Sequence, residues 1–564
     1  MAASTIAAIL VSLALLAFVA LSIADEIKRR KAVRKNIAAS WGRVPQSTYK
    51  REELQSIASY FLNRKQEHRS GFTIDDTTWN DLDMDYVFAR LNSTGSTVGE
   101  ETLYRLLREP VFDPDILKQR QDLIAFFHCD SVERAKIQLI LARLGKKRFV
   151  NVTDHIFVRD PPRLWKPITY KLLSALALVS PAFLLLNTGL GVLIILGSFL
   201  INMIMYYKAR SEIEVDLVAL GYLVRIVGCA RRLQCAGTGP LQEISDRLAV
   251  CCGKIKGIEK RAYYLLFTGT GSLGDIVVDY IKIVLLKELI DYAYLRKLIA
   301  DHREDLIETY EIIGLIDSLI AVASYRGSIP YHAVPWLEKS SPPGPAYLEF
   351  EDLCHPLIDQ PVSNSLRVDR PILITGSNAS GKSTLLKAVA INAIFAQTIC
   401  TCVARKYSSS IFAIFTSMAL RDSVRDGESY FIAEIKSIKR ILDYINDDIP
   451  CLCLVDEVLR GTNTIERIAS SSQVLHHLAS SNCICLAATH DTELTYILEN
   501  CYQNVHFQET IIEDGIKFDY QLRSGRASSR NAIKLLRLMG YSEAIVREAE
   551  RKAAWFSEYG RWEE

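Results

Sequence analysis

Two long apolar stretches stand out in the N-terminal half of the chain. The first, Ile6–Ala24, contains no charged residue and has about the twenty residues that a bilayer span requires. The second, Leu172–Tyr207, is also uncharged, but as one helix it would extend roughly 54 Å, well beyond a hydrocarbon core of about 30 Å. We therefore predict a hairpin of two short spans, Leu172–Leu186 and Leu190–Tyr207, which turns at Asn187-Thr188-Gly189. A buried helical pair in a soluble protein is the alternative.

The charges that flank these stretches predict their orientation. The basic cluster Lys28–Lys35 follows the first stretch, whereas a cleaved signal peptide carries its positive charge before the apolar run. The first stretch is therefore predicted to be a retained anchor whose short N-terminus lies outside the cell. Basic residues on both sides of the hairpin predict that both of its ends are cytoplasmic, namely Arg163, Lys166, Lys171, Lys208 and Arg210. These patterns predict a multi-pass protein of the cell membrane with about three spans.

Helical periodicity dominates both sides of the predicted hairpin. Apolar residues recur at three- and four-residue spacing within Leu103–Phe127, and the periodicity resumes after the hairpin and continues to about Tyr325. Ile281–Leu295 is apolar enough to suggest another span, but the charges within it favour an amphipathic helix that packs on protein. We therefore predict an all-α region that the hairpin interrupts. A Pro/Gly/Ser-rich link, Ser340–Pro345, separates it from the rest of the chain.

After this link, an apolar strand, a loop and a helix follow in direct succession. The strand begins at Ile372, and Gly376–Ser383 then fits the G-x-x-x-x-G-K-[ST] pattern of phosphate-binding loops. The glycines let the backbone curl so that successive N–H groups point at phosphate oxygens, and the following helix adds its positive end. Lys382 is predicted to reach the β- and γ-phosphates, and the hydroxyl of Ser383 is predicted to be a magnesium ligand.

Two later strands end in groups that suit the same chemistry. The apolar strand that starts at Cys451 ends in Asp456 and Glu457. In phosphate-loop enzymes, a carboxylate at this place holds magnesium and a following glutamate polarises the attacking water. A second apolar strand ends at Thr489-His490, where a histidine is predicted to lie beside the γ-phosphate. The alternative is a histidine that closes the strand without a catalytic role.

Composition limits the partners that the chain can recruit. The 564 residues include 67 Lys plus Arg against 65 Asp plus Glu, so the net charge of +2 provides no global field for nucleic acid. DNA contacts would have to come from local patches such as Lys28–Lys35. The thirteen cysteines include pairs two residues apart but no C-x-x-C pair, so we predict buried small side chains and no zinc site. The paired cysteines are Cys400/Cys402, Cys451/Cys453 and Cys483/Cys485.

Four motifs occur in an order typical of one known family. They are Ile-Thr-Gly-Ser-Asn-Ala-Ser-Gly-Lys-Ser-Thr at 374–384, Gly-Glu-Ser-Tyr-Phe-Ile-Ala-Glu at 427–434, Val-Asp-Glu-Val-Leu-Arg-Gly-Thr-Asn-Thr at 455–464 and Ala-Thr-His-Asp-Thr-Glu-Leu at 488–494. Together they resemble the ATPase domain of the MutS family, which is related to the ABC-type ATPases and is best known from DNA mismatch repair. The resemblance covers His355 to the C-terminus. It extends more weakly to Leu82–Arg143, which is similar to the start of the family's helical core and lever region.

The resemblance implies a site for ATP and Mg²⁺ that two subunits share. Ser429 matches the signature-loop serine that approaches the ATP of the partner subunit, and Arg460-Gly461-Thr462 matches a loop that crosses the dimer interface. Gly525–Ala549 is similar to the helical segment that interlocks two ATPase domains, so a homodimer is expected. Lys382, Glu457 and His490 would be catalytic, and Ser383 and Asp456 would hold Mg²⁺. The nucleotide contacts would be Gly376, Ser377, Asn378, Ala379, Ser380, Gly381, Lys382, Ser383 and Thr384.

The departures from the family pattern modify these expectations. Only an anchor and a few dozen residues precede the lever-like helices, so the mismatch-reading domain and the connector are expected to be absent, together with the family's Phe-x-Glu wedge. The family often places an aromatic residue before the phosphate loop to stack on adenine, but this chain has Gln360-Pro361-Val362-Ser363 there. The predicted preference for ATP over GTP therefore has less support than nucleotide binding itself.

The predicted architecture combines an α/β phosphate-loop ATPase domain of the ABC/MutS type with an all-α region. Its predicted parts are an anchor at 1–27, helical regions at 28–165 and 211–339, a transmembrane hairpin at 166–210 and the ATPase domain with its dimerisation segment at 346–564. Two functions remain open. One is a membrane-anchored, DNA-interacting ATPase, and the other is a membrane machine that uses ATP to move its own spans in an envelope or transport process without DNA.

Overall fold

The structure is a computed structural model that describes residues 30–562 and a few positions between 20 and 28. It leaves out 68–70, 151, 158–166, 238, 259–281, 340–345, 378–379, 419–429, 447, 460–461, 513–514, 528–532, 534–535 and 538. The predicted anchor Ile6–Ala24 therefore lies almost entirely outside the described residues, and the predicted link at 340–345 lies wholly outside them.

The chain divides into two compact units. The first, called here the helical unit, comprises Met1–Gly71, Phe88–Leu106 and Gln119–Ser328. The second, called here the sheet unit, comprises Phe72–Val87, Leu107–Lys118 and Ile329–Glu564. Two short segments from the N-terminal half thus belong to the same unit as the phosphate loop.

Helices account for the regular structure described before residue 329. They lie on both sides of the predicted hairpin and within it. They are α1 (Arg51–Glu67), α2 (Asp76–Asp81), α3 (Met84–Leu91), α4 (Thr97–Arg108), α5 (Pro114–Cys129), α6 (Ser131–Leu144), α7 (Val152–Phe157), α8 (Pro167–Val179), α9 (Thr188–Leu233), α10 (Gln242–Lys254), α11 (Lys287–Asp301) and α12 (Arg303–Ser328), with 3₁₀ turns at Ser180–Leu185 and Gly239–Leu241.

Helix α12 forms much of the core of the helical unit, and its buried polar groups orient α4. The Asp317 carboxylate accepts hydrogen bonds from the Gly95 and Ser96 amides, both at 2.9 Å, just before α4 begins. Burial raises the pKa of Asp317. A Cβ at Gly99 would lie 2.2 Å from Asp317 Oδ2, so the close approach of the two helices requires glycine there.

The predicted amphipathic helix near Ile281–Leu295 corresponds to α11, which buries Leu289 and Leu295.

The predicted hairpin turns where the sequence indicates, but its second limb is longer than predicted. Asn187 caps α9 by accepting a hydrogen bond from the Leu190 amide at 3.1 Å. Helix α9 then continues to Leu233, well beyond Tyr207, where the predicted span ends. The charged residues after Tyr207 end the apolar surface, but they are good helix formers and leave the backbone hydrogen bonds of the helix intact.

Both limbs of the hairpin expose apolar surface. Among the described residues, Pro167–Leu185 and Thr188–Glu214 are long and apolar enough to cross a membrane. Only 11% and 17% of their most apolar windows are buried inside the protein. A core helix of a soluble protein would bury most of such a surface, so the hairpin differs from the soluble alternative in its exposure.

The sheet unit contains a six-stranded sheet and a smaller four-stranded sheet. The six strands lie in the order β10-β9-β4-β8-β7-β6, with all neighbours parallel except β10, which pairs antiparallel with β9. The four lie in the order β1-β5-β2-β3. The strands are β1 (Trp336–Glu338), β2 (Leu348–Leu353), β3 (Asn364–Val368), β4 (Ile372–Thr375), β5 (Lys406–Ser410), β6 (Ala413–Ser417), β7 (Cys451–Asp456), β8 (Cys483–Thr489), β9 (Gln503–Ile512) and β10 (Gly515–Ser524).

The sheet unit also contains helices after β4. They are α13 (Lys382–Ile399), α14 (Tyr430–Tyr444), α15 (Thr464–Ala479), α16 (Leu494–Ile497) and α17 (Glu543–Tyr559). Strands β4, β7 and β8 are wholly buried, as continuous apolar runs in a parallel sheet should be. The six cysteines of the predicted pairs are all buried, and burial raises the pKa of Cys451 to about 12. The α/β character predicted for this region is confirmed.

The two N-terminal segments of the sheet unit are fixed by polar contacts. Asp81, at the end of α2, accepts hydrogen bonds from Thr416 Oγ1 at 2.7 Å and from the Met418 amide at 3.0 Å. The Lys387 ammonium on α13 lies 2.6 Å from Asp83 Oδ2. The Val111 amide donates to the Gln397 carbonyl at 2.8 Å. These contacts tie the segments to β6 and α13.

Candidate nucleotide-binding site

The register of three parallel strands brings the predicted site residues to one edge of the sheet. Thr375 at the end of β4 pairs with Thr489 at the end of β8, and Asp456 at the end of β7 pairs with Ala488. The phosphate loop, Glu457 and His490 follow directly after these positions. Ligands in open α/β sheets bind outside the carboxyl ends of the strands, so this edge is the expected position for a nucleotide.

The glycines of the phosphate loop meet a conformational and a steric requirement. Gly376 has φ 150° and Gly381 has φ 110°, values that side chains disfavour. A Cβ at Gly376 would lie 3.0 Å from the Phe507 carbonyl oxygen, and one at Gly381 would lie 3.3 Å from Tyr520 Cδ1. The loop therefore needs glycine at both predicted positions.

A cavity of about 480 Å³ opens beside the loop. Residues from Ser380 to Leu385 line one side of it, and Asp456, Glu457 and His490 line another. Ile358 and Tyr520 also line the cavity, and the Tyr520 ring lies next to Gly381 of the loop. The volume is within the range of small-molecule sites, and the cavity combines apolar walls with a few convergent polar groups.

Lys382 is buried at the bottom of this cavity, where the loop backbone surrounds its ammonium group. Its Nζ donates to the carbonyl oxygens of Gly376 and Ser377, both at 2.8 Å. The same Nζ lies 3.3 Å from Nε2 of His490. The side chain is only 5% exposed, so its charge faces the loop and the cavity rather than bulk water.

Ser383 and Asp456 form a contact that suits a divalent cation. Ser383 Oγ donates to Asp456 Oδ2 at 2.5 Å. Asp456 is 6% exposed, and its Oδ1 has no hydrogen-bond partner among the described residues. A buried carboxylate oxygen without a partner beside a hydroxyl is a donor set that Mg²⁺ prefers, since Mg²⁺ takes oxygen ligands. The residues present therefore fit the predicted magnesium site.

Glu457 and His490 contact each other across the ends of β7 and β8. Oε1 of Glu457 lies 2.8 Å from Nε2 of His490. The backbone of Glu457 has φ 58°, an uncommon value for a residue with a side chain, and its amide donates to the Ala488 carbonyl at 2.9 Å. Strained backbone often occurs at functional sites. The strain here places the Glu457 side chain at the cavity.

Several predicted site residues are not described by the structure. Asn378, Ala379 and Ser429 lie outside the described residues, as do Arg460 and Gly461. Thr462 is described, and its Oγ1 donates to Glu466 Oε2 at 3.0 Å at the start of α15. Ser377 is described as well, and its Oγ donates to Glu509 Oε2 at 3.0 Å. The sequence interpretation did not include Glu509.

Tyr520 is the main cavity residue that the sequence interpretation missed. It lies on β10 with φ 55°, at a register shift between Phe518 and Leu522, and its ring stacks on Phe518 with centroids 5.9 Å apart. Asn364 on β3 fixes this turn, because its amide group donates to the Tyr520 carbonyl at 3.0 Å and its oxygen accepts from the Leu522 amide at 2.7 Å. No local motif marks Tyr520, since it meets the loop only through the pairing of β9 and β10.

Comparison with known proteins relates this domain to a family. Residues 372–557 match the model of MutS domain V. The DNA mismatch repair protein MutS of Petrotoga mobilis is 27% identical over 319 residues, which cover 55% of this chain and 35% of that protein. The MutS of Natronomonas pharaonis is 30% identical over 268 residues, with 45% and 30% covered, and MutS protein homolog 4 of Mus musculus is 31% identical over 271 residues, with 44% and 27% covered.

These matches cover only part of the proteins concerned. The chain spans about a third of the length of the curated relatives it matches. The matched residues nevertheless include the loop after β4, the carboxylates after β7 and the histidine after β8, in the order that the four motifs indicate. Residues 372–557 of this chain therefore match MutS domain V, the ATPase domain of the MutS family.

Proposed function

We propose that this chain is a membrane-anchored ATPase that hydrolyses MgATP in the cavity at the carboxyl edge of the six-stranded sheet. The observation that carries the proposal is the meeting of the Lys382 ammonium, the Ser383–Asp456 contact and the Glu457–His490 contact in one cavity. A phosphate-binding cation, an oxygen set for magnesium and a carboxylate base are what phosphoryl transfer to water requires. The match to MutS domain V supports the same chemistry.

Binding would use the loop backbone and the start of α13. The loop N–H groups and the positive end of α13 attract phosphate oxygens, and Lys382 would exchange its two carbonyl partners for the β- and γ-phosphates. Ser383 and Asp456 would hold Mg²⁺, which when bound neutralises charge on the phosphate oxygens. Tyr520 lines the same cavity, and its ring would contact the bound nucleotide.

Hydrolysis would depend on Glu457 as the base. Its carboxylate would accept a proton from the water that attacks the γ-phosphate. His490 contacts both Glu457 and Lys382, so it would sense the γ-phosphate by exchanging the Lys382 contact for a phosphate oxygen while it keeps the Glu457 contact. The three side chains would therefore rearrange together when ATP enters.

The direct test is magnesium-dependent ATP hydrolysis by the full-length protein in detergent or nanodiscs. We expect the wild type to bind and hydrolyse ATP, chelation of Mg²⁺ to stop hydrolysis, and Lys382→Ala to lose nucleotide binding. Absence of ATP binding by the folded wild type, in every lipid and DNA condition tried, would show that the proposal is wrong.

We also propose that the active form is a homodimer. Ser429 and the loop at Arg460-Gly461-Thr462 match family positions that act across a subunit interface, so each site would be completed by the partner. ATP binding would then favour the closed dimer, and hydrolysis would release it. Size measurement with and without ATP tests this step, and a protein that remains monomeric with bound ATP contradicts it.

The exposed hairpin supports placement in the cell membrane, with the ATPase domain on the cytoplasmic side. The predicted anchor and the two candidate spans of the hairpin would together give about three crossings. The names of the relatives connect them to DNA mismatch repair, and DNA binding is proposed for this chain on that basis. Specific mismatch recognition is not part of the proposal, because the family-model match covers only residues 372–557, the region of the candidate site.

The exposed hairpin also favours a second candidate function. Because the two candidate spans interrupt the helical region, ATP-driven motion could act directly on the bilayer, as in an envelope or transport process without DNA. Two experiments separate the candidates. Binding of branched and mismatched duplexes that weakens with salt favours the DNA role. Crosslinks across the spans that change with ATP, together with no DNA binding at low salt, favour the membrane role.

A further inference from the structure

A bidentate ion pair lies next to the candidate base and histidine but outside the cavity. Arg467 on α15 donates through Nε to Asp491 Oδ2 at 2.9 Å and through Nη2 to Asp491 Oδ1 at 2.7 Å. The two side chains are 25% and 16% exposed, so the pair is partly shielded from water. A planar, two-bond contact of this kind restricts orientation as well as distance.

Each residue of the pair lies in a different element next to the site, and a hydrogen bond within that element fixes its backbone. Arg467 lies in the first turn of α15, which Asn463 caps by accepting from the Glu466 amide at 3.0 Å. Asp491 follows His490 directly, and its amide donates to Thr489 Oγ1 at 3.0 Å. The pair therefore connects the helix that follows Glu457 in the chain to the turn that carries His490.

The charge environment links the same pair to the base. Hydrogen bonding to Asp491 is the main cause that raises the pKa of Arg467, and the charges of Asp491 and Glu457 act in the same direction. The Glu457 carboxylate therefore stabilises the charged form of Arg467 through space, while the hydrogen bonds of the Arg467 guanidinium go to Asp491. Neither Arg467 nor Asp491 lines the cavity.

We propose that Arg467 and Asp491 are positioning residues that hold His490 against Glu457, so that they set the rate of ATP hydrolysis and not the affinity for ATP. This inference rests on the proposed ATPase function. Because the contacts of Lys382 and Ser383 do not involve the pair, nucleotide binding should not depend on it. The Glu457–His490 contact of 2.8 Å is short enough that a small shift of the His490 turn would disrupt it.

The test measures kcat, KM and nucleotide affinity of the full-length protein for Arg467→Gln, Arg467→Lys and Asp491→Asn. We expect Arg467→Gln and Asp491→Asn to lower kcat about tenfold or more, since misplacement of catalytic groups by a fraction of an ångström has effects of this order. KM and affinity should stay within about twofold. Arg467→Lys should recover part of the rate, because a single ammonium keeps the charge but loses the bidentate geometry.

Arg440→Gln is the matched control for a general loss of stability. Arg440 pairs with Asp75 in the same unit, its side chain is 24% exposed, and it does not line the cavity. The control should lower Tm by an amount similar to Arg467→Gln and leave kcat unchanged. Equal loss of kcat in the two variants, or a raised KM with normal kcat in Arg467→Gln, would overturn the inference.

The wild type distinguishes failure of this inference from failure of the proposed function. If the wild type hydrolyses ATP and Arg467→Gln does so at the same rate, only the positioning role is wrong. If the folded wild type neither binds nor hydrolyses ATP, the proposed function and the positioning role are both wrong.

Discussion

At the scale of single residues, the site is defined by polar groups that have partners within the protein and could exchange them for a nucleotide. Lys382 donates to two loop carbonyls, Ser383 donates to Asp456, and Glu457 contacts His490. The first two contacts satisfy the buried groups of Lys382 and Asp456, which would destabilise the fold if they had no hydrogen-bond partner. ATP binding would therefore replace existing hydrogen bonds within the protein. A single substitution that changes one of these hydrogen bonds should therefore change the affinity for ATP.

Replacing Glu457 by glutamine should separate binding from hydrolysis. The amide can still contact His490 but cannot accept the proton of the attacking water, so we expect unchanged ATP affinity and a rate at least about a hundredfold lower. Steady-state hydrolysis and binding of a fluorescent ATP analogue measure the two quantities. A normal rate in Glu457→Gln would refute the role assigned to this residue.

Replacing Tyr520 by alanine should weaken binding of the nucleotide. Aromatic contacts contribute ~1 kcal/mol beyond burial, so we expect nucleotide affinity to fall about fivefold to tenfold with kcat little changed at saturating ATP. Tyr520→Phe keeps the ring and is the control. Equal loss of affinity in both variants would show that the aromatic ring does not provide the binding energy. Because Tyr520 has a positive φ, Tm of each variant is measured to detect loss of stability.

At the scale of elements, the helical unit depends on a buried carboxylic acid between α4 and α12. Tyr310 on α12 donates to Glu101 Oε2 at 2.6 Å, and burial is the main cause that raises the pKa of Glu101 to about 8 from its usual 4.5. The unfolded chain loses this proton near pH 4.5, whereas the folded chain keeps it until about pH 8. The contribution of Glu101 to the free energy of unfolding therefore falls as pH rises from about 4.5 to about 8.

Replacing Glu101 by glutamine should remove this pH dependence. The amide oxygen still accepts from Tyr310 and never ionises, so Glu101→Gln should be more stable than the wild type at pH 8, and the difference should shrink toward pH 5. Thermal unfolding at several pH values measures the effect. Tyr310→Phe is a useful second variant, because it removes the hydrogen bond and leaves the carboxyl. A Tm difference between Glu101→Gln and wild type that does not change with pH would contradict the prediction.

At the scale of the whole molecule, the exposed apolar hairpin and the candidate nucleotide site occur in different units of one chain. The hairpin of the helical unit exposes Leu193 and Leu196 by 68% and 61%, while the nucleotide cavity is formed entirely within the sheet unit. Such a surface is costly in water and normal in lipid. The membrane placement can therefore be tested independently of the ATPase.

Arginine on the hairpin should release the protein from the membrane or prevent its insertion. Each arginine near the middle of a span costs ~3 kcal/mol for insertion, so Leu196→Arg with Leu200→Arg, in a variant that lacks the predicted anchor at 6–24, should reduce the membrane-bound fraction strongly. Val250→Arg is the control, since Val250 is 61% exposed on α10 outside the hairpin. Extraction with carbonate followed by quantification measures the fraction. Unchanged membrane association of the double variant would contradict a spanning hairpin.

Much of the site could be predicted because its parts are local in sequence. The spacing of the phosphate loop, the carboxylates after β7 and the histidine after β8 each depend on a few adjacent residues. The turn at Asn187 was predictable for the same reason, because a capping side chain acts on an amide three residues away. The end of α9 was not, since hydropathy reports where apolar surface stops and not where a helix stops.

The sequence by itself thus determined the type of chemistry and the position of the apolar hairpin, because local spacing and hydrophobic periodicity encode both. Only the tertiary structure decided which distant residues meet. Tyr520 lies next to the phosphate loop because β10 pairs with β9. Arg467 on α15 binds Asp491 in the turn after β8. The segment Phe72–Val87 belongs to the sheet unit, where Asp81 contacts Thr416. Such contacts depend on packing between segments far apart in the chain, for which no local pattern of residues carries a signal.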